Sequence, residues 1–161
     1  MNRTRGTSAP SRRDALLGAA AGASLIALAG PGALLAQDKS PPAVVEEAIK
    51  KIMGDAKPFE GRIALDLPET AENGNTVPYT VSVDSPMTAS DYVKAVHILA
   101  TGNVQPGVAT FFFTPESGKA AVSSRMRLSR TQDVLAIAEL STGRFVMARR
   151  PVKVTIGCCG G

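Results

Sequence analysis

Two adjacent cysteines near the C-terminus are the residues best suited to chemistry. The chain ends in Gly157-Cys158-Cys159-Gly160-Gly161. A thiolate is a good nucleophile, and sulfur bound to it can be extended, oxidised or cleaved without release as a free species. Because glycine leaves the backbone free, thiols set among glycines are expected to enter a narrow cavity. We therefore interpret residues 157–161 as a flexible arm, which reaches at most about 17 Å past the last strand when extended.

The number and spacing of the cysteines exclude several other kinds of site. Two neighbouring thiols cannot build a disulfide framework or a four-ligand zinc site. A bond between them is strained, because neighbouring Cα atoms lie about 3.8 Å apart and ordinary disulfides need roughly 4.4–6.8 Å, although an easily reduced vicinal disulfide remains an alternative. Cu(I) binding by the soft thiols would need methionines clustered nearby. The methionines are scattered along the chain, so we expect no metal and no cofactor.

No second set of residues indicates catalysis. The single histidine, His97, lies in an apolar stretch without a Ser-His-Asp pattern, and we interpret it as structural. Ser123 and Ser124 precede three arginines, Arg125, Arg127 and Arg130, which most simply form the solvated face of a strand, with anion binding as the alternative. A glycine-rich phosphate loop is missing. We expect that the chain performs no catalysis alone and is not an enzyme.

The first 36 residues predict an export signal. Arg12 and Arg13 directly precede 22 uncharged residues, 15–36, that are rich in Ala, Gly and Leu. This pattern is typical of a twin-arginine (Tat) signal, read by the Tat export machinery and removed afterwards. A permanent anchor is the alternative, since 22 uncharged residues can span a bilayer. The Gly-Pro-Gly break at residues 30–32 favours removal, so we expect a periplasmic protein without a permanent membrane anchor.

The charge balance argues against nucleic-acid binding. The chain has 18 basic and 14 acidic residues, and four of the basic residues but only one of the acidic residues belong to the export signal. The remaining 125 residues therefore carry a net charge of only +1. A basic stripe interleaved with aromatic residues is also missing. Cargo of the Tat pathway generally folds before export, so we expect a protein partner that assembles beforehand.

Residues 37–156 predict one all-β domain with a short N-terminal helix. After Pro41-Pro42, apolar residues recur at helical spacing over 43–53. From Gly61 onward the apolar period becomes two, which indicates half-buried strands. Asn73-Gly74 predicts a turn, because both residue types tolerate positive φ. Predicted strands cover 63–67, 77–83, 92–99, 108–113, 120–128, 134–140, 144–149 and 152–156.

This spacing favours an immunoglobulin-like antiparallel β-sandwich of seven to eight strands. Phe111 and Phe113 should share one face of their strand, and Phe112 should take the other. An outward Phe112 would need a partner to cover it; a strand buried on both faces is the alternative.

Together, these features resemble the SoxY family of thiosulfate-oxidation carriers. The resemblance rests on Ser11-Arg12-Arg13, on the length of the all-β region, and above all on the ending Val152-Lys153-Val154-Thr155-Ile156-Gly157-x-Cys159-Gly160-Gly161. It implies an immunoglobulin-like subunit that pairs with a smaller SoxZ-like subunit. It also implies that Cys159 carries sulfur covalently on an arm with Gly157, Gly160 and Gly161. Enzymes of the SoxAX, SoxB and SoxCD types would load, hydrolyse and oxidise that sulfur.

The chain departs from the family pattern at Cys158, where the pattern has glycine. A second thiol could attack an adduct on Cys159 and discharge it, so which cysteine carries the cargo stays open, with Cys159 preferred. Arg149, Arg150 and Lys153 are candidates to steer anionic adducts, with ordinary solvation of a strand as the alternative. Three further classes of protein compete with the carrier: a Cu(I)-binding module, an immunoglobulin-like adhesion or assembly subunit, and a thiocarboxylate carrier, which would be ubiquitin-like and cytoplasmic.

Overall fold

The computed structural model describes residues 42–158. The predictions for the signal motif Arg12-Arg13 and for Cys159, Gly160 and Gly161 lie outside these residues. Within residues 42–158, no helix is both long enough and apolar enough to cross a membrane.

Helix α1 (Ala43–Met53) forms where the apolar spacing predicts it. Val45 and Met53 are buried on the side that faces the sheet. Glu46 in the first turn, together with Lys50 and Lys51 in the last, matches the helix dipole. The helix ends at Gly54, whose φ of 60° suits a residue without a Cβ.

Eight strands follow within the described part of the chain. Their bounds are β1 (Ile63–Asp66), β2 (Thr70–Asn73), β3 (Val77–Val83), β4 (Val93–Ala100), β5 (Gly107–Phe112), β6 (Ala120–Met126), β7 (Gln132–Leu140) and β8 (Phe145–Ile156). They form a three-stranded sheet in the order β1-β3-β6 and a five-stranded sheet in the order β2-β8-β7-β4-β5. A 3-10 turn at Pro115–Ser117 joins β5 to β6. The predicted all-β sandwich with a short N-terminal helix is confirmed.

The strand predictions need two corrections. The first is β2, which the alternation did not reveal because it has only four residues and a single buried one. It pairs in parallel with the end of β8, with Thr70 opposite Lys153 and Asn73 opposite Ile156. The five-stranded sheet is therefore mixed and not wholly antiparallel.

The second correction concerns Pro151, where the predicted strands 144–149 and 152–156 prove to be one strand, β8. Proline interrupts a ladder only where its missing N–H would have to donate. Asp133, which lies opposite Pro151, uses both its N–H and its C=O on Thr101, on the other side. Pro151 therefore turns its nitrogen away from β7, toward an edge that β2 begins to cover only at Lys153.

Two apolar clusters hold these layers together. The larger lies between the sheets and includes Val81, Ile98 and Val134. The smaller lies under α1 and includes Leu99 and Ile137. The strands β4 and β7 contribute to both clusters, which explains their nearly continuous apolar sequences.

The three phenylalanines alternate as expected. Phe111 and Phe113 pack against the larger cluster, while Phe112 remains 80% exposed. The alternative of a strand buried on both faces is therefore wrong for β5 within this chain.

Candidate functional site at the C-terminal tail

The chain stays against the folded body for two residues after β8. The C=O of Ile156 accepts a hydrogen bond from the N–H of Gly74 (2.7 Å), and the N–H of Cys158 donates to the C=O of Leu128 (3.0 Å). Only 7% of Cys158 is exposed. The sequence places the start of the arm at Gly157, and the structure shows that Gly157 and Cys158 contact the body there.

Two glycines make this contact close. A Cβ on Gly157 would lie 2.0 Å from the backbone oxygen of Ser129, too close for any side chain. A Cβ on Gly74 would lie 2.2 Å from the oxygen of Leu128 and 2.9 Å from the nitrogen of Cys158. Both positions are therefore restricted to glycine by the tail and the loop that touch them.

The turn at Asn73-Gly74 was predicted correctly but for the wrong reason. Neither residue has a positive φ. The Asn73 side chain makes the turn by accepting the N–H of Asn75 on Oδ1 (2.9 Å), an Asx turn. Gly74 is required by close approach, because its own C=O accepts the N–H of Leu128 (2.8 Å) while its N–H holds the end of β8.

The loop that receives the tail, residues 127–131 between β6 and β7, is held by two amide side chains. Asn103 Nδ2 donates to the C=O of Arg127 (2.9 Å), and Asn103 Oδ1 accepts the N–H of Ser129 (3.0 Å). Gln132 is 8% exposed; its Nε2 donates to Asn103 Oδ1 and to the C=O of Arg130, both at 3.0 Å. The buried Gln132 amide and the half-buried Asn103 amide are thus both satisfied, and they hold the loop whose carbonyls face the tail.

The basic residues near the tail do not form a free cationic patch. Arg149 Nε bonds Asp133 Oδ2 at 2.9 Å, so its charge is already paired. Arg150 and Lys153 line a cavity of about 740 Å³ that also contains Glu69. This cavity therefore has both signs of charge. Steering of anions by all three basic residues is not supported, since one of them is engaged elsewhere.

The remaining candidates are placed in ordinary surroundings. His97 is half-buried, with Nδ1 3.0 Å from Thr110 Oγ1, and burial lowers its pKa, which the charge of Glu139 partly opposes. Ser123 contacts Thr80 across the β3–β6 pair, with 2.8 Å between the hydroxyl oxygens. In residues 42–158, no group of three or more His, Cys, Asp or Glu side chains could hold a metal ion.

Sequence reasoning missed the residues that hold the tail. Asn103, Leu128, Ser129 and Gln132 come from loops and a strand end that are distant along the chain. Leu128 and Ser129 act through backbone groups, which have no signature in a single sequence, and Asn103 and Gln132 act through side-chain amides, most of whose partners are distant along the chain. Gly74 was the one available signal, since a glycine beside Asn already marked a backbone constraint.

The described residues define a class of protein: a small β-sandwich that ends at Cys158, with the second thiol, Cys159, next in the sequence. The family model described as "Sulfur oxidation protein SoxY" matches residues 49–159, which include both cysteines. The chain belongs to the SoxY family.

One solved structure agrees with this assignment, and two others share the fold. The sulfur carrier protein SoxY from Chlorobium limicola f thiosulfatophilum is 34% identical, with a TM-score of 0.59 over 70% of this chain and 96% of that chain. A superoxide reductase (neelaredoxin) from Ignicoccus hospitalis is 18% identical, with a TM-score of 0.53 over 58% of this chain and 80% of that one. A superoxide reductase from Nanoarchaeum equitans is 11% identical, with a TM-score of 0.51 over 60% and 99%. These two reductases are similar in fold alone. A search of curated proteins found no match.

Proposed function

We propose that the chain is a sulfur carrier of thiosulfate oxidation, which holds sulfur intermediates on Cys159 and presents them to successive enzymes. Its membership of a family of sulfur oxidation proteins supports a carrier role and not an enzymatic one, as does its 34% identity to the Chlorobium carrier. The observation that carries the proposal is the family match through Cys159, next to a tail base that is attached to the body.

The chemistry asks little of the carrier itself. Joining the thiolate of Cys159 to the outer sulfur of thiosulfate forms one S–S bond and removes two electrons. An electron-accepting partner, of the SoxAX type in our proposal, takes up those electrons. A SoxB-type enzyme would then hydrolyse the S–S bond to the sulfonate group, which releases sulfate and leaves a persulfide on Cys159. A SoxCD-type enzyme would oxidise the outer sulfur of that persulfide and take up the electrons that are removed. The carrier supplies a thiolate and an attachment point.

The proposed location is the periplasm, after export by the Tat machinery together with a SoxZ-like subunit. The support is the Arg12-Arg13 motif and the uncharged run that follows it. Replacing both arginines with lysine should leave the precursor in the cytoplasm, measured by cell fractionation. Export of this variant at the normal level would contradict the proposed route.

Intact-mass spectrometry tests the carrier chemistry. The mature protein is purified with its co-purifying subunit, incubated with thiosulfate and the pathway enzymes, and weighed before and after treatment with a reductant. Cys159→Ser should lose the reductant-sensitive adduct, and Cys158→Ser, the matched control, should keep it. Adducts on Cys159→Ser but not on Cys158→Ser would reverse the assignment, and equal loading of both variants would exclude a dedicated carrier cysteine.

A further inference from the structure

The folded body holds Cys158, the first of the two neighbouring cysteines. Cys158 is held by its backbone N–H to the C=O of Leu128, and it is almost fully buried. Leu128 in turn donates its own N–H to the C=O of Gly74, whose N–H holds Ile156. The base of the tail, Gly157 and Cys158, is therefore part of a hydrogen-bonded arrangement that joins three separate segments of the chain.

The segment that contacts the tail is itself fixed by bonds that do not involve the tail. Gly102 N–H donates to Gln132 Oε1 at 2.6 Å, and Ser129 Oγ donates to the C=O of Gly102 at 2.9 Å. With Asn103 bridging Ser129 and Gln132, this network leaves the Leu128 and Ser129 carbonyls facing the tail. A network in which each amide group is bonded is rigid and specifies one arrangement.

A contact between the 127–131 loop and strand β8 further restrains the tail. Val154 N–H donates to Thr131 Oγ1 at 3.0 Å, so the loop bonds to β8 four residues before Cys158 and to the tail at Cys158 itself. Gly157 passes so close to Ser129 that no side chain fits between them. These contacts lie on both sides of Gly157, and they restrain the backbone on which the Cys158 thiol is placed.

We propose that the 127–131 loop, positioned by Asn103 and Gln132, is a dock for the tail that retains Cys158 in the folded body and withdraws its thiol from reagents. Asn103 and Gln132 are positioning residues in this arrangement. The dock makes Cys159 the thiol that is offered to partner enzymes, so this inference deepens the proposed carrier function and rests on it.

Docking also has a chemical consequence. A thiolate of Cys158 that attacked the inner sulfur of a Cys159 persulfide would form a Cys158–Cys159 disulfide and expel hydrosulfide, with atoms and electrons conserved. This reaction would unload the carrier without an enzyme. Because the dock restrains the backbone of Cys158, we expect it to slow that attack while the tail is docked.

Alkylation of single-cysteine variants tests the dock without any sulfur substrate. Cys159→Ser retains only Cys158, and Cys158→Ser retains only Cys159; each is treated with iodoacetamide at one pH, folded and in urea, and followed by intact mass. We expect folded Cys159→Ser to react at least about tenfold more slowly than in urea, because alkylation requires local opening, and Cys158→Ser to lose less than half of its reactivity on folding. Equal rates for folded and unfolded Cys159→Ser would overturn the dock.

A second substitution shows that the protection comes from the dock. In the Cys159→Ser background, Gly157→Ala should push the tail off Ser129 and raise the alkylation rate toward its value in urea. Gly107→Ala is the matched control, because a Cβ there meets nothing within 4 Å. An unchanged rate in Gly157→Ala, with folding checked by thermal melting, would contradict the proposal.

Hydrogen exchange on the unsubstituted protein covers the case in which Gly157→Ala fails to fold. The amide of Cys158 should exchange more slowly than an unstructured amide, because it donates to Leu128. Exchange at the unstructured rate would overturn the dock. If these docking results hold but neither single-cysteine variant takes up sulfur with the pathway enzymes, the carrier function fails and the dock stands.

Discussion

The tail cysteine that the structure describes is part of the fold, and its surroundings separate it from an arm cysteine. Cys158 has a buried side chain and a bonded amide. The family resemblance favours Cys159 as the carrier cysteine. The dock we propose adds a physical reason on the side of Cys158, whose backbone lies against Leu128 and Ser129, about thirty residues away in the chain.

Replacement of the buried polar residue Gln132 should lower the stability of the fold. Gln132→Ala would leave the N–H of Gly102 and the C=O of Arg130 without their side-chain partner. We expect the free energy of unfolding to fall by about 1–3 kcal/mol, the usual cost of unsatisfied buried groups. Urea unfolding measures this, with exposed Gln105→Ala as the control. A loss no larger than that of Gln105→Ala would contradict the structural role of Gln132.

His97 should make stability depend on pH. Burial lowers its pKa in the folded state, while the unfolded value is about 6.5. Between these two values the unfolded chain binds more protons than the folded one, so the free energy of unfolding falls as the pH drops through about 6.5. His97 is the one histidine in the chain. Urea unfolding at about pH 7.5 and about pH 5.5 should therefore show a smaller loss for His97→Gln than for the wild type. Equal losses of stability in the two proteins would show that His97 does not cause the pH dependence.

At the scale of elements, the sequence predicts those helices and strands that have a clear apolar period. The helix, β1 and the strands β3 to β7 were predicted to within two residues of their observed bounds, because their apolar periods are clear, whereas β8 was predicted as two strands. Strand β2 was missed because four residues with one buried side chain carry no period. It pairs with β8 up to Ile156, the residue after which the tail begins, so a strand of only four residues matters for the site.

Gly74 connects β2, the 127–131 loop and the tail, and it should tolerate no side chain. A Cβ there would approach the oxygen of Leu128 to 2.2 Å. We expect Gly74→Ala to lower the free energy of unfolding by about 1–3 kcal/mol, the usual cost of overpacking. Thermal or urea unfolding checks this against Gly107→Ala, where the added Cβ meets open space. Equal stability of the two variants would show that the segments separate at little cost.

At the scale of the whole molecule, one large apolar side chain on an edge strand stays uncovered. Phe112 is 80% exposed on β5, which ends the five-stranded sheet. Exposed aromatic residues and open strand edges are both typical of surfaces that another chain covers. We therefore expect the SoxZ-like subunit to bury Phe112.

Phe112→Ser separates partner binding from folding. The isolated chain should keep its stability to within about 0.5 kcal/mol, because the ring is already in solvent. Its complex with the co-expressed SoxZ-like subunit should dissociate more readily in size-exclusion chromatography. Val104→Ser is the control, an apolar residue that is 94% exposed in the loop between β4 and β5. Normal complex formation by Phe112→Ser would place the partner on another surface.

The sequence by itself determined the all-β class, the position of α1, the placement of Phe112 on the face opposite Phe111 and Phe113, and the concentration of thiols at the end of the chain. These features depend on local period and composition, which a single sequence displays. The tertiary structure alone decided that Gly74 is held to glycine by close approach and not by its φ, that Pro151 lies within a continuous strand, and that Cys158 is bound to Leu128. Each of these depends on a backbone N–H or C=O supplied by a distant segment, and such a group leaves no signature in the sequence of the segment that supplies it.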